Sequence, residues 1–155
     1  MTVSIEVEDE AWQALAGLDQ LVQSAVVSAL RGAGADPGES EIAILFTGDQ
    51  SIAAINAEWR GMNKPTNVLS FPAAPGLPVP AGVPRPLGDI VLAHGVILRE
   101  AAEQGKTLHD HTVHLIVHGV LHLLGYDHEA DTEAVEMERL EAGILKGLGI
   151  SDPYE

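Results

Sequence analysis

The segment His118-Gly-Val-Leu-His-Leu-Leu-Gly-Tyr-Asp-His128 carries three histidines whose type and spacing suit a metal ion. On a helix advancing roughly 100° and 1.5 Å per residue, His118 and His122 fall about 40° apart around the axis and about 6 Å along it, so their imidazoles can converge. Gly125 permits the left-handed conformation that ends a helix, and the chain can then turn back and deliver His128 to the same point. Three neutral imidazoles at about 2.0 to 2.1 Å leave a fourth position open, the arrangement of a catalytic rather than a structural zinc. One zinc ion per chain is the expected cofactor, although three-histidine sites also accept nickel, cobalt or copper. A His pair at i and i+4 alone is more often surface decoration or a satisfied core group. Gly125 and His128 reverse that balance.

The spacing H-x3-H-x2-G-x2-H is also that of the metzincin proteases, with one departure: Gly119 stands where they have a Glu. That Glu is their general base, so this chain cannot run the same mechanism from the same position. A metal lowers the pKa of bound water toward roughly 7 on its own, so a hydroxide nucleophile does not require that base.

His111 and His114 extend the stripe toward the helix start, and all four imidazoles fall within about 80° of arc. Val113, Ile116, Val120 and Leu123 form the opposite, apolar side, as expected of a helix that floors a cleft. His114 is open to a supporting or substrate-facing role. For His111, His109 and His94, capping or solvent exposure is the simpler reading. Asp127 either steers an imidazole or forms a turn.

Positioning these groups requires a folded scaffold, and 155 residues suffice for one domain spanning residues 1–155. Hydrophobic residues make up 46% of the chain and aromatics only 4%, so the core must be aliphatic. No apolar run reaches the roughly 18 residues of a membrane span, and the start lacks the features of a signal peptide, which points to the cytoplasm and to no membrane partner. The absence of cysteine rules out thiolate ligands and disulfides. A net charge of −15 opposes nucleic-acid binding by overall field, yet from Trp59 to Gly88 there are Arg60, Lys64 and Arg85 and no acidic residue.

Alternation over Thr2 to Val7 predicts a strand, and apolar residues at helical spacing from Glu10 to Leu30 predict one amphipathic helix, with room for a kink. Glu41 to Thr47 reads as a buried strand, followed by a helix that Asp49 or Ser51 can cap and that stops near Gly61. Asn67 to Phe71 and Leu87 to Ala93 read as two further strands. Between them, the stretch Pro72 to Pro86 holds six of the nine prolines and must be a surface loop. Helices are expected over Val96 to Gln104, from Thr107 (with Asp110 as a capping box) to about Leu124, and from Asp131 through Leu145.

Two further segments resemble the YbeY family of bacterial endoribonucleases. Asn56-Ala-Glu-Trp-Arg-Gly-Met-Asn-Lys-Pro-Thr-Asn-Val-Leu-Ser-Phe-Pro72 is similar to the family's N-x2-[YW]-R-x3-K-P-T-[DN]-V-L-S-F-P stretch, and Leu87-Gly-Asp-Ile90 to a second. The resemblance covers about Asn56 to Leu140. It implies an α+β fold, a small mixed four-stranded sheet packed with about five helices, with the three-histidine site in a cleft. It also implies a metal-dependent endoribonuclease on single-stranded RNA that matures the 3′ end of small-subunit ribosomal RNA and serves ribosome quality control. The family's characteristic arginine falls on Arg60, a residue type suited to fork onto a phosphodiester. The catalytic set is then Arg60, His118, His122 and His128, with Lys64 and Arg85 as guides for the RNA backbone. Thr66, Asn67 and Ser70 either line the cleft or make turn and strand contacts. The acidic surface adds the ribosome or a ribosomal protein as partner; the default oligomeric state is a monomer. Two rival readings are a ribosome-associated assembly factor with a mainly structural metal and, disfavoured by Gly119, a peptidase.

Overall fold

Ser40-Glu-Ile-Ala-Ile-Leu-Phe-Thr47 forms a strand, β2, with Ile42, Ile44 and Phe46 buried on one side. The computed structural model describes residues 2–74, 78–127 and 130–154. Strand β1, Thr2–Val7, runs parallel to β2 on one side, and β4, Arg85–Ala93, runs parallel to it on the other. Strand β3, Val68–Pro72, is antiparallel to β4, giving a mixed sheet of order β1-β2-β4-β3. Among the described residues, five α-helices complete the fold: α1 Leu18–Gly32, α2 Asp49–Arg60, α3 His94–Glu103, α4 Leu108–Leu123 and α5 Asp131–Gly147. The expected α+β architecture is the one observed.

The pleat of the sheet sorts its residues between two cores. Ile42, Ile44, Phe46, Ile90 and Leu92 meet buried residues of α1, α4 and α5, among them Val22, Val26, Ile116, Val120 and Leu145. On the other face Leu69, Val91 and Ala93 pack with Ile52 of α2 in a smaller cluster. Helix α4 therefore rests on the sheet next to β3 and β4, and this holds its histidine side in place.

The helix expected over Glu10 to Leu30 is divided. A 3-10 turn, Glu10–Ala14, precedes α1, and Gly17 separates them at φ 70°. The reason is Trp12, which is fully buried, donates from Nε1 to the Thr47 carbonyl at 2.8 Å and meets Phe46 edge-on at 4.9 Å. Sinking that indole into the core outweighs continuous helix hydrogen bonding.

Neither Asp49 nor Ser51 caps α2, whose N-cap is Gly48 without a side-chain bond. Asp49 instead accepts from Val96 N at 3.0 Å and from Arg99 Nη2 at 2.9 Å, satisfying the first turn of α3 across the interface. Among the described residues, no helix is long and apolar enough to cross a membrane.

Candidate metal centre

Helix α4 begins as its sequence demands: Thr107 accepts the Asp110 N–H at 3.0 Å. Val113, Ile116, Val120 and Leu123 are buried against the core, leaving His114, His118 and His122 half-buried on the opposite side. At its far end Gly125 adopts φ 98°, with Gly125 N donating to His122 O at 3.0 Å and Tyr126 N to Leu121 O at 3.0 Å. These two bonds are a Schellman termination, the reversal that Gly125 predicts. His128 lies outside the described residues.

The Nε2 atoms of His122 and His118 stand 3.0 Å apart. Two nitrogens bound at about 2.0 to 2.1 Å to one tetrahedral ion are about 3.4 Å apart, so the pair is spaced to share an ion with little adjustment. Behind His118, its Nδ1 contacts Glu141 Oε1, a hydrogen bond that requires the proton on Nδ1 and leaves Nε2 as the ligand atom.

Glu141 is the residue that reading the sequence missed. It sits on the buried side of α5, four residues after Met137 and four before Leu145, and is 0% exposed. An acid inside an apolar helical stripe needs partners, and that position was the available signal. Its partners are His118, His114 through Nε2 at 3.3 Å, and the Tyr154 hydroxyl. Burial alone would raise its pKa, but the hydrogen bonds from His114, His118 and Tyr154 outweigh it and hold the carboxyl down at about 2. Tyr154 is driven the other way, by burial first and by its carboxylate partner second, so its hydroxyl keeps its proton.

His114, His118 and Glu141 bring ligand-type atoms within 4.8 Å of one another and could themselves hold an ion. Their direct hydrogen-bond contacts fit a carboxylate orienting two imidazoles better, since an ion between Glu141 and His118 would have to break the bond already there.

His111 is neither a cap nor exposed. It is 2% accessible and its Nε2 lies 2.9 Å from Glu100 Oε1, which also accepts from Asn67 Nδ2 at 3.0 Å. Burial lowers its pKa despite that carboxylate. His109 is exposed, as expected, and pairs with Asp110, whereas His94 is half-buried and stands edge-on to Trp12. Asn67, Glu100, Lys106, His114, His118 and Tyr154 line a cavity of about 310 Å³. A larger depression of about 650 Å³, between α1 and α5, is lined by none of the described histidines.

Arg60 ends α2, exposed, immediately before Gly61 at φ 69°. The loop that follows is pinned by buried Asn56, whose Nδ2 donates to the Lys64 carbonyl at 3.0 Å and whose own carbonyl accepts from Met62 N at 3.3 Å. Lys64 and Arg85 are exposed. Ser70 Oγ lies 3.5 Å from the Gly119 carbonyl, tying β3 to the middle of α4.

The Leu87-Gly-Asp motif has a backbone cause. The register of β2 and β4 shifts between Glu41 and Ile42, and just there Gly88 takes φ 139°, with an imagined Cβ only 2.2 Å from the Phe71 carbonyl. Only glycine fits, since Leu123 of α4 also closes on that spot, its Cδ2 2.9 Å from the imagined Cβ.

The chain is similar to known proteins over most of its length. A family model described as Endoribonuclease YbeY matches residues 4–149. The chain is 51% identical to the Endoribonuclease YbeY of Allorhizobium ampelinum, over 99% of this chain and 95% of that protein. It is 50% identical to that of Nitrobacter hamburgensis, over 94% of this chain and 77% of that protein. The solution structure of TM1509 from Thermotoga maritima shares the fold, with a TM-score of 0.61 at 24% identity over 94% of this chain and 87% of that one. With the family model spanning residues 4–149 and relatives about half identical over nearly the whole chain, the chain belongs to the endoribonuclease YbeY family.

Proposed function

We propose that the protein is a metal-dependent endoribonuclease that cleaves single-stranded RNA, matures the 3′ end of small-subunit ribosomal RNA in the cytoplasm and takes part in ribosome quality control. The observation that carries this reading is the meeting of His118 and His122 at their Nε2 atoms, 3.0 Å apart, in a chain of the endoribonuclease YbeY family. His118, His122 and His128 hold one ion, with zinc the first expectation for an all-imidazole set. When bound, the ion supplies Lewis acidity toward a phosphoryl oxygen and an acidified water. Glu141 keeps the proton of His118 on Nδ1, so that Nε2 is the coordinating atom. Arg60 forks onto the phosphodiester and offsets the charge that grows on its oxygens, while Lys64 and Arg85 guide the strand. The protein works as a monomer, and a ribosomal protein supplies the RNA affinity that a net charge of −15 withholds.

The test is elemental analysis of the purified protein combined with cleavage of single- and double-stranded RNA, with and without chelator. Single-strand cleavage that is lost on chelation and in His118→Ala, with the fold intact, is the expected result. Unchanged cleavage in His118→Ala would overturn it. The net charge also favours a second reading, an assembly factor with a mainly structural metal. Its mark is loss of fold or of ribosome association on chelation; retained fold and association with lost processing speaks for catalysis.

A further inference from the structure

Tyr154 follows α5 in a turn in which its N–H donates to Asp152 Oδ1 at 2.8 Å. The residue is 43% exposed, its ring stands edge-on to His114 at 6.0 Å, and it is not part of the hydrophobic core. Its hydroxyl nevertheless reaches Oε2 of fully buried Glu141, the carboxylate whose Oε1 contacts His118 Nδ1.

We propose that Tyr154 and Glu141 are positioning residues for the metal centre, holding the proton of His118 on Nδ1 so that Nε2 faces the ion. This rests on the reading of His118 as a ligand. A carboxylate has two oxygens and can rotate between donors. The other contact at Oε2, from His114 Nε2, is long at 3.3 Å, and an imidazole can give or take a proton at that atom. A phenol beside a carboxylate only donates. Tyr154 thus commits Oε2, which leaves Oε1 to His118 and fixes both the ring orientation and the tautomer of that ligand. Tyr154 acts on His118 through Glu141, the carboxylate its hydroxyl contacts.

The zinc-loaded protein and its Tyr154→Phe, Glu141→Gln and His118→Ala variants are titrated with a chromogenic chelator, and the His118 nitrogens are followed by 15N NMR in the metal-free forms. Carboxylates and carbonyls behind ligating histidines typically contribute about 10- to 100-fold in metal affinity, so Glu141→Gln is expected to weaken zinc by that range and Tyr154→Phe by about three- to tenfold. In both, the Nδ1-protonated signature of His118 gives way to a mixture, at unchanged circular dichroism. If both variants bind zinc as tightly as the parent while His118→Ala does not, the positioning pair is overturned and the ligand assignment stands. If His118→Ala itself binds zinc normally, the ligand assignment falls and the pair with it. Should Glu141→Gln fail to fold, Tyr154→Phe decides, since Tyr154 is exposed and not a member of the hydrophobic core.

Discussion

Gly119 packs so tightly against Ile90 that a Cβ at position 119 would lie 3.1 Å from Ile90 Cδ1 and 3.3 Å from Ser70 Oγ. The position that carries the general base in the metzincins thus points here into the sheet. Installing that base, Gly119→Glu, is expected to crowd a carboxylate against Ile90 and Ser70 with no cation beside it there, costing on the order of several kcal/mol, and to create no peptidase. Chemical denaturation and a casein-cleavage assay check this; a stable variant that cuts protein would refute it.

Arg60→Lys preserves the charge and removes the planar fork. Because Arg60 is exposed at the end of α2, the melting temperature and zinc content should not change. Single-strand RNA cleavage should fall about 100-fold, the scale set by losing one donor to a charged transition state. Activity within a factor of two of the parent would remove Arg60 from the mechanism.

Glu141 makes stability depend on pH. Its folded carboxyl titrates at about 2 against an ordinary 4.5, so the folded state binds fewer protons than the unfolded one between those values. The contribution, a few kcal/mol, is complete above about 4.5 and is lost as pH falls toward about 2. Urea midpoints of the chelator-treated protein should drop across that window, and Glu141→Gln should flatten the profile.

Gly88→Ala tests the strand irregularity. At φ 139° with a Cβ 2.2 Å from the Phe71 carbonyl, alanine is expected to cost about 3 kcal/mol or more and to loosen β3 from β4. Amide exchange at Leu69 and Phe71, both paired in that ladder, reports the loosening. Protection equal to the parent would contradict it.

Much of this was legible in the sequence, and for local reasons. Thr107 and Gly125 bracket α4 with their own side-chain and backbone chemistry, and the imidazole stripe follows from helical spacing alone. What escaped was set by distant partners. Trp12 breaks its helix because of a cavity that β2 builds, Asp49 leaves its own helix to satisfy α3, and His111 is buried because Glu100 faces it. Glu141 left a trace as an acid in an apolar stripe, whereas Tyr154, in a turn beyond α5, left none.

The strand order β1-β2-β4-β3 also fixes a timetable. Because β4 lies between two partners, the sheet cannot close until residue 93 has left the ribosome, and α4, which leans on it, comes after. Glu141 and Tyr154 are made later still. A chain emerging in this direction presents its imidazole pair before the carboxylate that stands behind it, so completion of the centre follows folding of the sheet.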